Sequence, residues 1–107
     1  MTALITRDEL AQLIETGSVT VIDALGAEYY DRAHLPGAVN LVVADVETAA
    51  PRLLPDKSAT IVTYCSDTTC GNSQQVATKL EALGYTDVRK YREGIRDWAE
   101  AGLPIES

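Results

Sequence analysis

Hydrophobic positions along this chain switch between two kinds of pattern. Residues 18–23 (Ser-Val-Thr-Val-Ile-Asp) and 59–64 (Ala-Thr-Ile-Val-Thr-Tyr) are short runs rich in β-branched residues and predict strands. Both are largely apolar rather than cleanly alternating, as expected for strands covered on both faces. Residues 39–43 and 87–91 carry weaker versions of the same signal, and Leu4 and Ile5 predict a short edge strand. Between these runs the spacing becomes helical. Thr6 and Glu9 have the spacing of a capping box, Leu10, Leu13 and Ile14 form an apolar stripe, and Gly17 ends it. Val76, Leu80 and Leu83 form a second stripe stopped by Gly84. A third helix is predicted over 95–101, closed by Gly102, with Pro104 forbidding continuation. Strands alternating with helices predict a parallel α/β sheet with right-handed crossovers. Ligands of such sheets bind at the carboxyl ends of the strands, which says where chemistry is to be sought.

Composition narrows the class. At 107 residues the chain reads as one domain over 1–107, long enough for a core without staples. Nine Lys and Arg against 16 Asp and Glu leave a net charge of -7, which argues against binding nucleic acid or an anionic membrane. No apolar run approaches the length of a bilayer span, and the first ten residues lack the pattern of a secretory signal, so a cytoplasmic protein is expected. Two cysteines exclude a disulfide scaffold. With a single histidine, His34, they supply no zinc ligand set, and no glycine-rich phosphate loop is present, so neither metal nor cofactor is expected.

One segment carries chemistry. Cys65 is read as the last residue of the strand that the 59–64 run begins, and Ser66, Asp67, Thr68, Thr69, Cys70 and Gly71 lead to a helix that begins near Asn72 or Ser73. A loop curling over a strand end exposes backbone N–H groups, and the helix N-terminus adds more. These partial positive charges favour a thiolate. Lowering a cysteine pKa from ~8.5 to ~6.5 raises the thiolate fraction at pH 7 from about 3% to about 75%. Cys65 is therefore a candidate nucleophile, set against the ordinary behaviour of free cysteine as a small buried hydrophobe. Cys70 is open to three roles: resolving thiol, persulfide acceptor or passive loop residue. The two cysteines can close a short loop disulfide if their Cα atoms come within about 7 Å.

The chain resembles the single-domain rhodanese family over nearly its whole length. Val21-Ile22-Asp23, Glu28-Tyr29-Tyr30 and residues 34–40, His-Leu-Pro-Gly-Ala-Val-Asn, resemble the family's first motif. Residues 61–65 are similar to its active-site strand. The stretch from Ser73 through Ala77, Leu80, Leu83, Gly84 and Tyr85 matches the following helix, and Val88, Tyr91, Gly94, Trp98 and Pro104 match the closing motif. The resemblance implies a three-layer α/β/α fold with a five-stranded parallel sheet in the order 1-5-4-2-3. It also implies a sulfurtransferase that carries sulfane sulfur on Cys65 as a persulfide and exchanges it by ping-pong kinetics. Its partners would be a small sulfur donor and a thiol, cyanide or protein acceptor. On this reading His34 is structural, Asp23 is a hydrogen-bonding or loop-ordering group, and Trp98 is core.

Departures from the family pattern shape the substrate expectation. The loop is longer than usual, and Asn72 followed by Ser73 stands where the common pattern has Arg followed by Ser or Thr. Asp23-Ala24-Leu25 replaces Asp-Val-Arg, removing a second arginine, and Asp67 puts an acid into the loop. A bidentate Arg grips oxyanions, so its loss argues against phosphatase or arsenate-reductase chemistry and lowers the expectation for thiosulfate. Arg92, just beyond the last strand, is a candidate replacement cation. Relatives with a second loop cysteine have a similar Cys-x-x-x-x-Cys loop. Two alternatives stand beside the sulfur carrier: a thiol–disulfide redox or sensing domain using Cys65 and Cys70, and a catalytically silent interaction module.

Overall fold

A computed structural model describes residues 2–107 and shows five parallel strands: β1 (Ala3–Leu4), β2 (Thr20–Asp23), β3 (Val39–Asn40), β4 (Thr60–Tyr64) and β5 (Asp87–Tyr91). Their order across the sheet is β1-β5-β4-β2-β3, as the family resemblance implies. The helices are α1 (Arg7–Thr16), α2 (Ala27–Arg32), α3 (Val46–Leu53), α4 (Asn72–Ala82) and α5 (Gly94–Glu100). None of them is long and apolar enough to cross a membrane.

The two-residue period of the strands sorts the core into two halves. Ile22, Ile61 and Val88 point to one face, where they meet Val46 and Ala50 of α3 and Val76, Ala77 and Leu80 of α4. Val21, Val62, Tyr64 and Tyr91 point to the other, against Leu10 of α1 and Trp98 of α5. β4 lies between β2 and β5 and is buried from Ile61 to Tyr64. That double coverage explains why its sequence is apolar rather than alternating. Trp98 packs edge-on to Tyr91, and its indole N–H donates to the Pro104 carbonyl at 2.7 Å, so it is a core residue.

α1 begins with the capping box: the Glu9 amide donates to Thr6 Oγ1 at 3.2 Å and the Thr6 amide to Glu9 Oε1 at 3.1 Å. It ends at Gly17, whose φ of 71° lets its amide turn back to the Ile14 carbonyl. Three expectations need correction. The 39–43 strand is paired only over Val39–Asn40, because the chain then turns into a 3₁₀ segment at Val43–Asp45. The edge strand is Ala3–Leu4, one residue earlier than Leu4 and Ile5 suggest, and Ile5 goes into the core. Finally, α2 and α3 are additional helices, lying between β2 and β4.

Candidate active site

Cys65 lies one residue past β4, at the carboxyl end of the sheet's middle strand, and is almost fully buried. Its sulfur is bonded to that of Cys70, with Cα atoms 6.2 Å apart. The loop from Ser66 to Gly71 therefore closes over the strand end and returns into the N-terminus of α4. The amides of Ser66, Asp67, Thr68 and Gly71 donate to no group among the described residues. Thr63 and Ser73 fasten the base: Thr63 Oγ1 donates to the Ser73 carbonyl at 3.0 Å, and both residues are buried.

The loop is held from two sides. From outside, the Ile95 amide donates to the Cys65 carbonyl and the Arg96 amide to the Ser66 carbonyl, each at 3.0 Å. Gly94 makes that approach possible: a Cβ there would lie 2.6 Å from Cys65 O and from Ser66 C and O, at a φ of 72°. Within the loop, Asp67 Oδ1 accepts from Thr69 N at 3.0 Å and Thr69 Oγ1 at 2.6 Å, and its carbonyl accepts from Cys70 N at 3.2 Å. The Thr69 hydroxyl and then the Thr69 amide hold the Asp67 carboxyl below the usual aspartate range, so it is an anion at neutral pH. The guanidinium of Arg96 lies 3.9 Å from it.

Asp23, at the end of β2, is buried and orders the neighbouring loop. Its Oδ1 accepts from Leu25 N at 2.8 Å and its Oδ2 from the Tyr64 hydroxyl at 2.6 Å. Burial pushes the Asp23 carboxyl upward, and the bonds from Tyr64 and Leu25 oppose that push. Tyr64 Oη also accepts from Leu35 N at 3.1 Å. Burial, then the neighbouring Asp23 carboxylate, raises the Tyr64 phenol far above its ordinary value. His34 stacks on Tyr30 with centroids 4.0 Å apart, and its Nδ1–H donates to the Tyr30 carbonyl at 2.7 Å. Its backbone bridges Glu106, tying down the C-terminal segment. Both residues have the structural roles expected of them.

Asn72, at the position of the family arginine, donates from Nδ2 to the Ala24 carbonyl at 3.3 Å, so it joins α4 to the β2–α2 loop. Arg92 is exposed and follows Tyr91, the register partner of Tyr64, which sets its backbone beside Cys65 in the sheet. No ion pair holds its side chain among the described residues. The sequence marks Gly94 as a turn or close-approach glycine, and the structure shows that what it approaches is the loop; sequence reasoning missed Arg96 as the cation at Asp67 and an adjoining cleft. That cleft, of about 310 Å³, opens beside Ser66 and is lined by Leu25, Tyr29, Arg32, Ile95 and Ile105 among others. Its apolar rim includes Tyr29 and Ile105, both exposed. No local signal marks these residues, because they come from separate parts of the chain.

Comparisons with known proteins agree with this geometry. The chain is 32% identical over 102 residues to the HTH-type transcriptional regulator Rv0324 of Mycobacterium tuberculosis, covering 95% of this chain and 44% of the regulator. It thus spans less than half of that relative. It is also 32% identical over 78 residues to the thiosulfate sulfurtransferase PspE of Escherichia coli, covering 73% of this chain and 72% of that enzyme. Among solved structures, the human single-domain sulfurtransferase TSTD1 superposes with a TM-score of 0.80 at 25% identity, covering 94% of this chain and 97% of that one. The family match, described as a rhodanese-like domain, extends over residues 6–101. A Cys65 loop at the end of a 1-5-4-2-3 parallel sheet and a match over nearly the whole length make this chain a member of the rhodanese-like family.

Proposed function

We propose that the protein is a sulfurtransferase or persulfide carrier whose acceptor of sulfur is Cys65. The reduced Cys65 thiolate attacks the outer sulfur of a persulfide donor, leaving a Cys65 persulfide and the donor's thiol. A second thiol then takes the sulfur in a separate step. The observation that carries this reading is the placement of Cys65 at a strand end beneath a loop whose amides at Ser66, Asp67, Thr68 and Gly71 are engaged by no acceptor among the described residues. Such groups stabilise the diffuse charge of a persulfide anion. The relatives that include a thiosulfate sulfurtransferase and a single-domain sulfurtransferase support the same class of reaction.

An organic persulfide suits this site better than thiosulfate. Asn72 is engaged with Ala24 and offers no guanidinium, and ionised Asp67 repels a dianion. The apolar cleft beside Ser66 gives an organic donor or acceptor a surface to lie on.

Intact-protein mass spectrometry of the reduced protein after exposure to thiosulfate, or separately to a persulfide, tests the reading. One sulfur atom should be gained by the Cys70→Ser variant, whose single loop thiol is Cys65, and none by Cys65→Ser. Failure of every donor to load Cys65 would refute it. Arg92→Ala is expected to raise the thiosulfate KM up to about five-fold, the size of an exposed ionic contact, with kcat little changed. An unaltered KM would remove Arg92 from the site.

A further inference from the structure

Resting on the Cys65 persulfide reading, we infer that Cys70 is the resolving thiol of this site: it releases the carried sulfur as hydrosulfide and leaves the Cys65–Cys70 disulfide. The geometry for that step is already in place. The two sulfurs are bonded across a Cα separation of 6.2 Å, within the range disulfides favour. The attacking side is shaped in advance, because the Cys70 amide is held by the Asp67 carbonyl and the turn is closed by Thr69 on Asp67. The target side is fixed by Ile95 and Arg96, which hold the Cys65 and Ser66 carbonyls. In this closed form Cys65 is 1% exposed, and the group in contact with its sulfur is Cys70. An intramolecular nucleophile so placed has a large advantage over one that arrives by diffusion.

The step balances without an outside oxidant. The Cys70 thiolate attacks Cys65 Sγ, and the bond between Sγ and the sulfane sulfur breaks with its electron pair on the departing sulfur. That sulfur takes the proton given up by Cys70 and leaves as HS⁻. The sulfane sulfur is reduced by two electrons, and the two thiols are oxidised to the disulfide. A dithiol reductant returns the loop to its starting state. The chain therefore converts a persulfide into free sulfide and records the event as a loop disulfide, which distinguishes it from a carrier that hands sulfur on intact.

The test uses anaerobic, reduced wild type and Cys70→Ser, each given glutathione hydropersulfide and no other thiol. Wild type should release about one sulfide per chain while its mass falls by two hydrogens. Cys70→Ser should keep one added sulfur on Cys65 and release sulfide at least ten-fold more slowly until dithiothreitol is added. If wild type retains the sulfur as long as Cys70→Ser, the resolving role falls and the carrier reading stands. Loss of two hydrogens from wild type without sulfide would also overturn it, in favour of a plain redox pair. If neither protein gains sulfur or releases sulfide, or if Cys70→Ser gains a glutathionyl group instead, both readings fall.

Discussion

Gly94→Ala is expected to destabilise the domain by about 3–5 kcal/mol, lowering its melting temperature by roughly 12 °C or more. Two costs combine. A φ of 72° is a left-handed conformation, worth about 1–2 kcal/mol to any residue with a Cβ. The new methyl would also sit 2.6 Å from three backbone atoms of Cys65 and Ser66, which no side-chain rotation can relieve. Either α5 or the active-site loop must withdraw, weakening the two bonds from Ile95 and Arg96 to the loop carbonyls, at about 1 kcal/mol each. Gly17→Ala is the matched control. Its φ of 71° is nearly the same, yet nothing lies within 4 Å of the added methyl, so only the backbone cost applies. Urea unfolding of both variants, with sulfur loading of Cys65 followed in parallel, separates strain from collision. Equal losses for the two would show that contact with the loop contributes nothing, and unaltered loading would remove Gly94 from the support of the site.

The second large effect is expected from Tyr64→Phe, at about 3 kcal/mol near neutral pH. The hydroxyl serves two buried partners, the Asp23 carboxylate at 2.6 Å and the Leu35 amide at 3.1 Å, and phenylalanine leaves both unsatisfied. The penalty should depend on pH. Burial raises the Asp23 pKa above its ordinary 3.8, so between those two values the folded protein binds more protons than the unfolded chain. Over that window stability falls as pH rises, because the unfolded chain ionises first. The Tyr64 bond lowers the Asp23 pKa and narrows the window; its loss extends the window upward. The difference between variant and wild type therefore grows from about 1–2 kcal/mol below the ordinary aspartate value, where only neutral bonds are lost, to its full size above the raised one. Urea unfolding at pH 3 and pH 7 checks this, and an equal penalty at both would rule out the carboxylate as the source.

Elements whose signals are local were legible in the chain. The β-branched runs 18–23 and 59–64 end where β2 and β4 end and begin two residues and one residue early, and the capping box of α1 has the expected reciprocal bonds. α2 gave no such signal because none of its residues is buried, so no apolar stripe marks it. α3 was hidden by Pro51, which normally argues for an ending yet lies inside Val46–Leu53. At the site, Cys65, the loop and the displaced arginine position could be read from order along the chain. Gly94 could be read as a turn or close-approach glycine, but neither its partner nor the role of Arg96 could, since both reach the loop from across the fold. Arg92 became a candidate through the family's strand order, and the structure adds a second cation, Arg96, at Asp67.

Both outer strands of the sheet, β1 and β3, are only two residues long. A row of open N–H and C=O groups along a longer border would be a template for another chain to add itself by strand pairing. Here each border offers too few to nucleate such growth, since short isolated strand pairs are marginal in water. Self-association through sheet extension is thereby blocked at both sides, even though the middle of the sheet is as apolar as a typical aggregation-prone segment. The strongest β-forming sequence, β4, is kept between neighbours rather than at an open margin.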